Sequence, residues 1–200
     1  VEAFQEQQVM GTWIAERITQ RLIASSVIEE GDRELYSYDF FLLVTKLFFF
    51  LVAAAAGVLT DAAFESILFY AVFMFLRSYA GGIHAKTEAA CTVLTTLVLI
   101  ASVLAIQYLQ MHTGRALPAL MLGIGSLCIY VYSPLDTSEK PLDAQEKKWY
   151  RTICMVALSV CVIASLIAWR CQQESIFYPV SFGIFLESIL LMLGKVCGHR

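Results

Sequence analysis

From Tyr38 onward the chain is built of long apolar stretches separated by short polar ones, running approximately over residues 39–60, 62–79, 87–109, 116–132, 152–169 and 176–196. A hydrocarbon core of roughly 30 Å takes about 20 helical residues to cross, and these stretches have that order of length. The second is short. The fourth opens around Pro118, which a first helical turn tolerates because the missing N–H would have no partner there. Strands crossing a bilayer would read as runs of about ten alternating residues, and neither Leu97–Ala105 nor Val156–Leu166 alternates. The pattern predicts an all-α integral membrane protein with about six transmembrane helices.

Residues 1–38 are polar by contrast, with Glu2, Glu6, Glu16, Arg17, Arg21, Glu29, Glu30, Asp32, Arg33 and Glu34. This is not the basic-then-apolar layout of a secretory signal peptide, and nothing in it looks cleavable. Met10, Trp13, Ile14, Ile18, Leu22 and Ile23 recur at helical spacing, with Glu16, Arg17, Gln20 and Arg21 on the other side. An amphipathic helix follows, lying on the membrane surface or packed on the rest of the protein. The expected organisation is an N-terminal amphipathic segment over 1–38, a polytopic transmembrane domain over 39–196 and a short tail over 197–200.

Composition agrees with the pattern. The 200 residues suit one domain, and 58% of them are apolar, against roughly 45–50% in a soluble globular chain; mean hydropathy is +0.68. With 16% charged residues and a net charge of -3, there is no basic surplus to neutralise a phosphate backbone. Nucleic acid is not an expected partner, and the lipid bilayer is. Cytoplasmic segments of membrane proteins carry the excess of Lys and Arg. If the amino terminus is inside, the inner segments hold Arg17, Arg21, Arg33, Arg77, Lys86, Lys140, Lys147, Lys148, Arg151, Lys195 and Arg200, and the outer ones only Arg115 and Arg170. Both termini are then expected on the cytoplasmic side, with a hydrophilic inner connection over Ser133–Tyr150. Of the six cysteines, Cys128, Cys154 and Cys161 lie in apolar runs and read as reduced and structural.

The chemistry concentrates between the second and third stretches, where residues Arg77 to Cys91 read RSYAGGIHAKTEAAC. Gly81-Gly82 disfavours a continuous helix and admits backbone conformations closed to other residues. In one straight helix His84 and Cys91 would be about 10.5 Å apart along the axis, too far to share a proton. If they act together, a loop carrying His84 must fold back over a helix that starts near Thr87 and holds Cys91 in its second turn. A thiol with its ordinary pKa near 8.5 is mostly protonated at neutral pH; a neighbouring histidine can take that proton, and a helix amino terminus favours the thiolate. His112 falls in an expected outer loop and His199 in the tail, which leaves His84 as the histidine close to Cys91 on the same side. Taken alone, the pair also reads as a polar loop beside a buried structural thiol.

The arrangement of Arg77, Gly81-Gly82, His84-Ala85 and Cys91 resembles the accessory gene regulator B family, membrane cysteine endopeptidases that process quorum-sensing peptide precursors in Gram-positive bacteria. The resemblance extends to the acidic, amphipathic amino terminus before the first span. It also takes in the segment from Tyr132-Ser133-Pro134 to Lys140-Pro141, similar to the family's Ala-Pro…Lys-Pro loop with Ser133 in place of the alanine. With chain length and span order it covers nearly the whole sequence. The resemblance implies that Cys91 is the nucleophile and His84 the general base. The substrate would be a signal-peptide precursor with an amphipathic leader, a signal core and an acidic C-terminal tail. Cleavage between core and tail would leave an acyl-enzyme thioester, which cyclisation resolves to a thiolactone or lactone. No metal or organic cofactor is implied; a homodimer in the plasma membrane, with the motif on the cytoplasmic side, is suggested.

Other polar residues have two readings each. Arg77 and Lys86 could bind the acidic tail or orient the oxyanion, and both are also positive-inside residues at helix ends. Glu88 could orient His84, and it is also what a helix start prefers. Lys46 and Glu187 lie about 12 Å inside their spans at 1.5 Å per residue, where ionisable groups are functional candidates. An ion pair between them is one reading, and a snorkelling Lys46 the other. Lys147, Lys148 and Arg151, beside Trp149, could set topology on anionic headgroups or hold the acidic tail. Cys197 and His199 lack further metal ligands nearby in sequence, and Cys171 lacks an obvious disulfide partner.

A non-enzymatic membrane transporter or export subunit, with the Gly-Gly loop as a re-entrant filter, is the alternative to an enzyme. It predicts polar residues spread along several spans and indifference to Cys91→Ser. The topology is checked with reporter fusions: one placed after Gln110 should report outside and one after Asp143 inside, and an outward Asp143 reporter would reverse the assignment.

Overall fold

In a computed structural model the described residues are 2–82, 88–135 and 143–197, with the side chains of 2–10, Glu88 and Cys197 outside that description. They form seven α-helices, one short 3-10 turn at Glu30–Asp32 and no strand. The helices are α1 (Glu2–Ala24), α2 (Arg33–Leu59), α3 (Ala63–Ala80), α4 (Glu88–His112), α5 (Ala116–Tyr132), α6 (Ala144–Arg170) and α7 (Glu174–Cys197). Five of these, α2, α3, α4, α6 and α7, are long and apolar enough to cross a membrane. The sixth apolar helix, α5, has 17 residues, a length of about 26 Å. The protein is an all-α membrane protein.

Hydropathy finds the apolar part of each crossing, and the helices run past it. The largest difference is in α6, which begins at Ala144 rather than near 152, so the connection expected over Ser133–Tyr150 is shortened from its far side. The cause is a capping box. The Asp143 carboxylate accepts from the backbone N–H groups of Gln145 (2.6 Å) and Glu146 (2.7 Å), and the Glu146 carboxylate accepts from Asp143 N–H (3.1 Å). Three other connections close the same way as one another. Ser26, Asp61 and Gln172 take left-handed φ values of 58°, 54° and 59°. The next residue in each case reaches back five positions to a helical carbonyl, as in Ala62 N–H to Gly57 O at 2.8 Å.

The chain divides into two compact units, residues 1–52 with 85–99 and residues 53–84 with 100–200. In the first, α1 turns its small residues inward. Gly11 faces the Phe41 ring of α2, Ala15 and Thr19 are fully buried, and the Thr19 hydroxyl is satisfied by Ala15 O at 3.0 Å. Trp13, by contrast, is 54% exposed, with Arg17 stacked 4.5 Å above its ring. The buried stripe is therefore shifted from the large apolar residues that periodicity picks out. Arg33 ties the ends of the unit's helices through Glu16 (2.9 Å) and Glu30 (3.3 Å).

The second unit is a bundle in which α7 packs against α3, α5 and α6. Over its most apolar stretch α7 is 56% buried, against 39% for α3 and 22% for α6, which makes it the helix the others surround. Close approach rests on glycine. A Cβ at Gly125 of α5 would lie 3.0 Å from the Phe185 backbone, and one at Gly183 would press on Val72 of α3. Between α2 and α3, Gly57 faces Ser66, whose hydroxyl donates to Ala53 O at 2.5 Å. Polar contacts collect at the bundle ends. At one end Arg115 pairs with Glu174 (3.0 Å), Tyr178 donates to Thr113 O (2.8 Å) and Gln107 to Thr60 O (2.6 Å). Leu104, Leu120, Leu127, Val160 and Ile163 remain exposed, as side chains facing lipid must.

The α5–α7 contact yields a matched test. Gly125→Val should destabilise the protein by roughly 1–3 kcal/mol through forced separation of the backbones. Gly123→Val, at a position with nothing within 4 Å, should change little. Thermal unfolding in detergent, followed by size-exclusion fluorescence, separates the two.

Candidate functional site

At the opposite end of the bundle the sequence motif begins as the last turn of α3. Ala80 is buried and the helix stops at Gly81, with φ of 82° at Gly81 and 149° at Gly82. These are values that glycine adopts without strain and other residues rarely take. Both glycines are also needed for space. A Cβ at Gly81 would stand 2.8 Å from Leu135 O, and one at Gly82 would collide with the Arg77 guanidinium. Arg77 therefore folds forward over its own turn, with Nη1 3.4 Å from Gly81 O.

The turn is held from outside by the segment after α5. Leu135 N–H donates to Ala80 O at 2.8 Å, capping the end of α3. That segment is in turn pinned by α6. Ser133 is buried and precedes Pro134 through a cis peptide bond. Its carbonyl accepts from Arg151 Nη1 at 2.9 Å, and its hydroxyl lies 3.2 Å from the Cys154 sulfur. Arg151 also reaches Tyr130 O at 3.4 Å, so one guanidinium serves two carbonyls at the end of α5. Aromatic contacts close the same end, with Tyr79 and Tyr150 rings 5.6 Å apart and the Lys195 ammonium 4.0 Å over the Tyr132 ring. The ends of α3, α5, α6 and α7 thus meet around a glycine turn.

Of the residues singled out in sequence, the structure brings Arg77, Gly81 and Gly82 together. His84 and Lys86 lie outside the described residues, as does the side chain of Glu88. The start expected near Thr87 lies outside the described residues; α4 is described from Glu88, and Cys91 on it is a half-buried free thiol. Glu187 is fully buried, and among the described residues neither carboxylate oxygen has a hydrogen-bond partner. Lys46, the partner expected for it, belongs to the other unit and is exposed. Within the basic cluster the structure separates roles: Arg151 binds two carbonyls, whereas Lys148 is exposed. Leu135 and Cys154 were missed as contributors to this end. Only Arg151's place one turn past the lysines and one turn before Cys154 hinted at an inward face. All five described cysteines are free, Cys171 among them and exposed.

Residues 15–191 match the protein family described as Accessory gene regulator B. Protein FsrB of Enterococcus faecalis is 22% identical over 168 residues, which are 82% of this chain and 66% of that protein. An AgrB-like protein of Clostridium acetobutylicum is 30% identical over 165 residues, 80% of this chain and 74% of the relative. Accessory gene regulator protein B of Staphylococcus haemolyticus is 28% identical over 120 residues, covering 60% and 61%. This chain thus spans about two thirds of the length of such relatives. No solved structure matches it.

The clamp on the glycine turn predicts that Arg151→Ala weakens the fold by about 1–2 kcal/mol, the loss of charge-assisted hydrogen bonds at a partly exposed site. Lys148→Ala should leave stability unchanged. Denaturant titration of the detergent-solubilised protein checks both.

Proposed function

This chain belongs to the accessory gene regulator B family, and on that premise we propose that it is a membrane cysteine endopeptidase of quorum sensing. It cleaves the C-terminal tail from a signal-peptide precursor and cyclises the remaining core. What supports this reading is membership of that family together with the spacing of Arg77, Gly81-Gly82, His84 and Cys91 in the family's motif, with Cys91 a half-buried free thiol of α4.

In this reading His84 takes the Cys91 proton, and the thiolate attacks the carbonyl that joins core to tail. The tail leaves as an amine with the proton returned by His84, and the core stays on Cys91 as a thioester. A thiol within the core then attacks that thioester, forming a thiolactone and restoring the Cys91 thiol; a core serine would form a lactone instead. Thioester exchange roughly conserves free energy, whereas hydrolysis would release an acid unable to condense with a thiol unaided. Water has to be kept out until the ring closes. Arg77, held at the Gly81–Gly82 turn, orients the oxyanion or the acidic tail, with Lys86 adding positive charge and Glu88 supporting His84. The setting proposed is the plasma membrane of a Gram-positive bacterium with the motif facing the cytoplasm, and a homodimer is the proposed assembly.

Intact mass spectrometry of the protein co-expressed with a precursor from its own locus tests this reading. The wild-type protein should gain the mass of the core, and hydroxylamine should remove it. Cys91→Ala should carry no adduct, and His84→Ala should slow cleavage by about 10²–10⁴. Uncleaved precursor and no adduct in any variant, with folded protein present, would favour a non-enzymatic export role.

A further inference from the structure

Arg151 has no task in the mechanism above, yet it stands beside the glycine turn. It is the eighth residue of α6, in the two turns that precede the apolar run and follow from the Asp143–Glu146 capping box. Its guanidinium turns to the end of α5, with Nη1 2.9 Å from Ser133 O and Nη2 3.4 Å from Tyr130 O. Carbonyls at a helix C-terminus lack intrahelical donors and carry the negative end of the helix dipole, so a cation binds them well. A guanidinium serves two of them in one fixed fork, which an ammonium does not have.

Ser133 is thereby held on three sides: its carbonyl by Arg151, its hydroxyl 3.2 Å from the Cys154 sulfur and its N–H by Ile129 O at 3.0 Å. Pro134 follows, with a ring that fixes φ, and Leu135 comes next. Leu135 N–H donates to Ala80 O at 2.8 Å, and a Cβ at Gly81 would stand 2.8 Å from Leu135 O. With a stiff residue between them, the place of Ser133 sets the place of Leu135, and Leu135 abuts both residues where α3 stops. All of these residues belong to one compact unit. In sequence His84 is two residues beyond Gly82, so a shift of the turn carries over to the histidine. General-base transfer needs an approach of about 2.6–3.2 Å, and a misplacement of about 1 Å costs about 10²-fold in rate.

We propose that Arg151 is a positioning residue for the general base: through Ser133 and Leu135 it holds the Gly81–Gly82 turn in the conformation from which His84 serves Cys91. The catalytic half of this inference rests on the peptidase reading above; the mechanical link from Arg151 to the end of α3 does not.

Hydrogen–deuterium exchange of the full chain in detergent, read by mass spectrometry, tests the link without substrate. The amides around Ile184, fully buried in α7, report general stability. Arg151→Ala should speed exchange of the Leu135 amide about tenfold or more beyond any change at those amides. A ratio between the two sites equal to that of wild type would overturn the link. If Arg151→Ala does not accumulate, Arg151→Lys, which keeps the charge without the fork, is read in the same way.

Precursor cleavage then tests positioning. Arg151→Ala should lower kcat about tenfold or more per folded molecule with KM little changed, and Arg151→Lys should recover part of it. Ser159→Ala, at an exposed position of α6 whose hydroxyl bonds Met155 O, should match wild type. A raised KM with kcat intact would make Arg151 a contact for the substrate's acidic tail, and unchanged kinetics would make the clamp structural only; either overturns positioning. A wild-type protein that cleaves nothing would instead count against the peptidase reading, with exchange still deciding the link.

Discussion

The bundle of the second unit depends on how closely α7 can approach its neighbours. In hydrocarbon there is little apolar driving force between helices, so association rests on van der Waals contact and on the few polar groups that find partners. Contact at backbone distance requires positions without side chains. Gly125 opens α5 to the Phe185 backbone, and Gly183 opens α7 to Val72 and Phe69 of α3. With α7 held there, the Leu190 carbonyl stands where α3 ends, and the polar ends of four helices converge on one turn.

That turn shows how a local sequence feature is given a definite shape by groups far away in the chain. Two consecutive glycines permit many conformations. Leu135 capping Ala80, Arg77 lying over Gly82 and the Leu190 carbonyl behind it select one. The selection is supported one layer further out, because Ser133 is itself held by Arg151 and Cys154 of α6. The segment similar to the family's Ala-Pro…Lys-Pro loop thus serves, through its first residues, as the strap across the end of α3.

The α1 helix illustrates a different lesson. Periodicity selects Trp13, Ile14 and Ile18 as its apolar face, yet the fully buried positions are Ala15 and Thr19. Small residues go where the helices touch, and Trp13 is left exposed. In a membrane protein the apolar face and the packed face are not the same face, because the solvent is itself apolar.

Much of this protein was legible in its sequence. The crossings follow from hydropathy, since a backbone in hydrocarbon must satisfy its hydrogen bonds within each segment and therefore becomes helix wherever about 20 apolar residues run together. The break after Ala80 follows from Gly81-Gly82. These are properties of neighbouring residues and need no knowledge of the fold. Sequence could not show that Arg151 rather than Lys148 grips Ser133, or that Leu135 caps α3. Those choices depend on which helices adjoin and at what rotation. Contacts between chemically interchangeable apolar surfaces decide that, and only the packed tertiary structure discriminates among them.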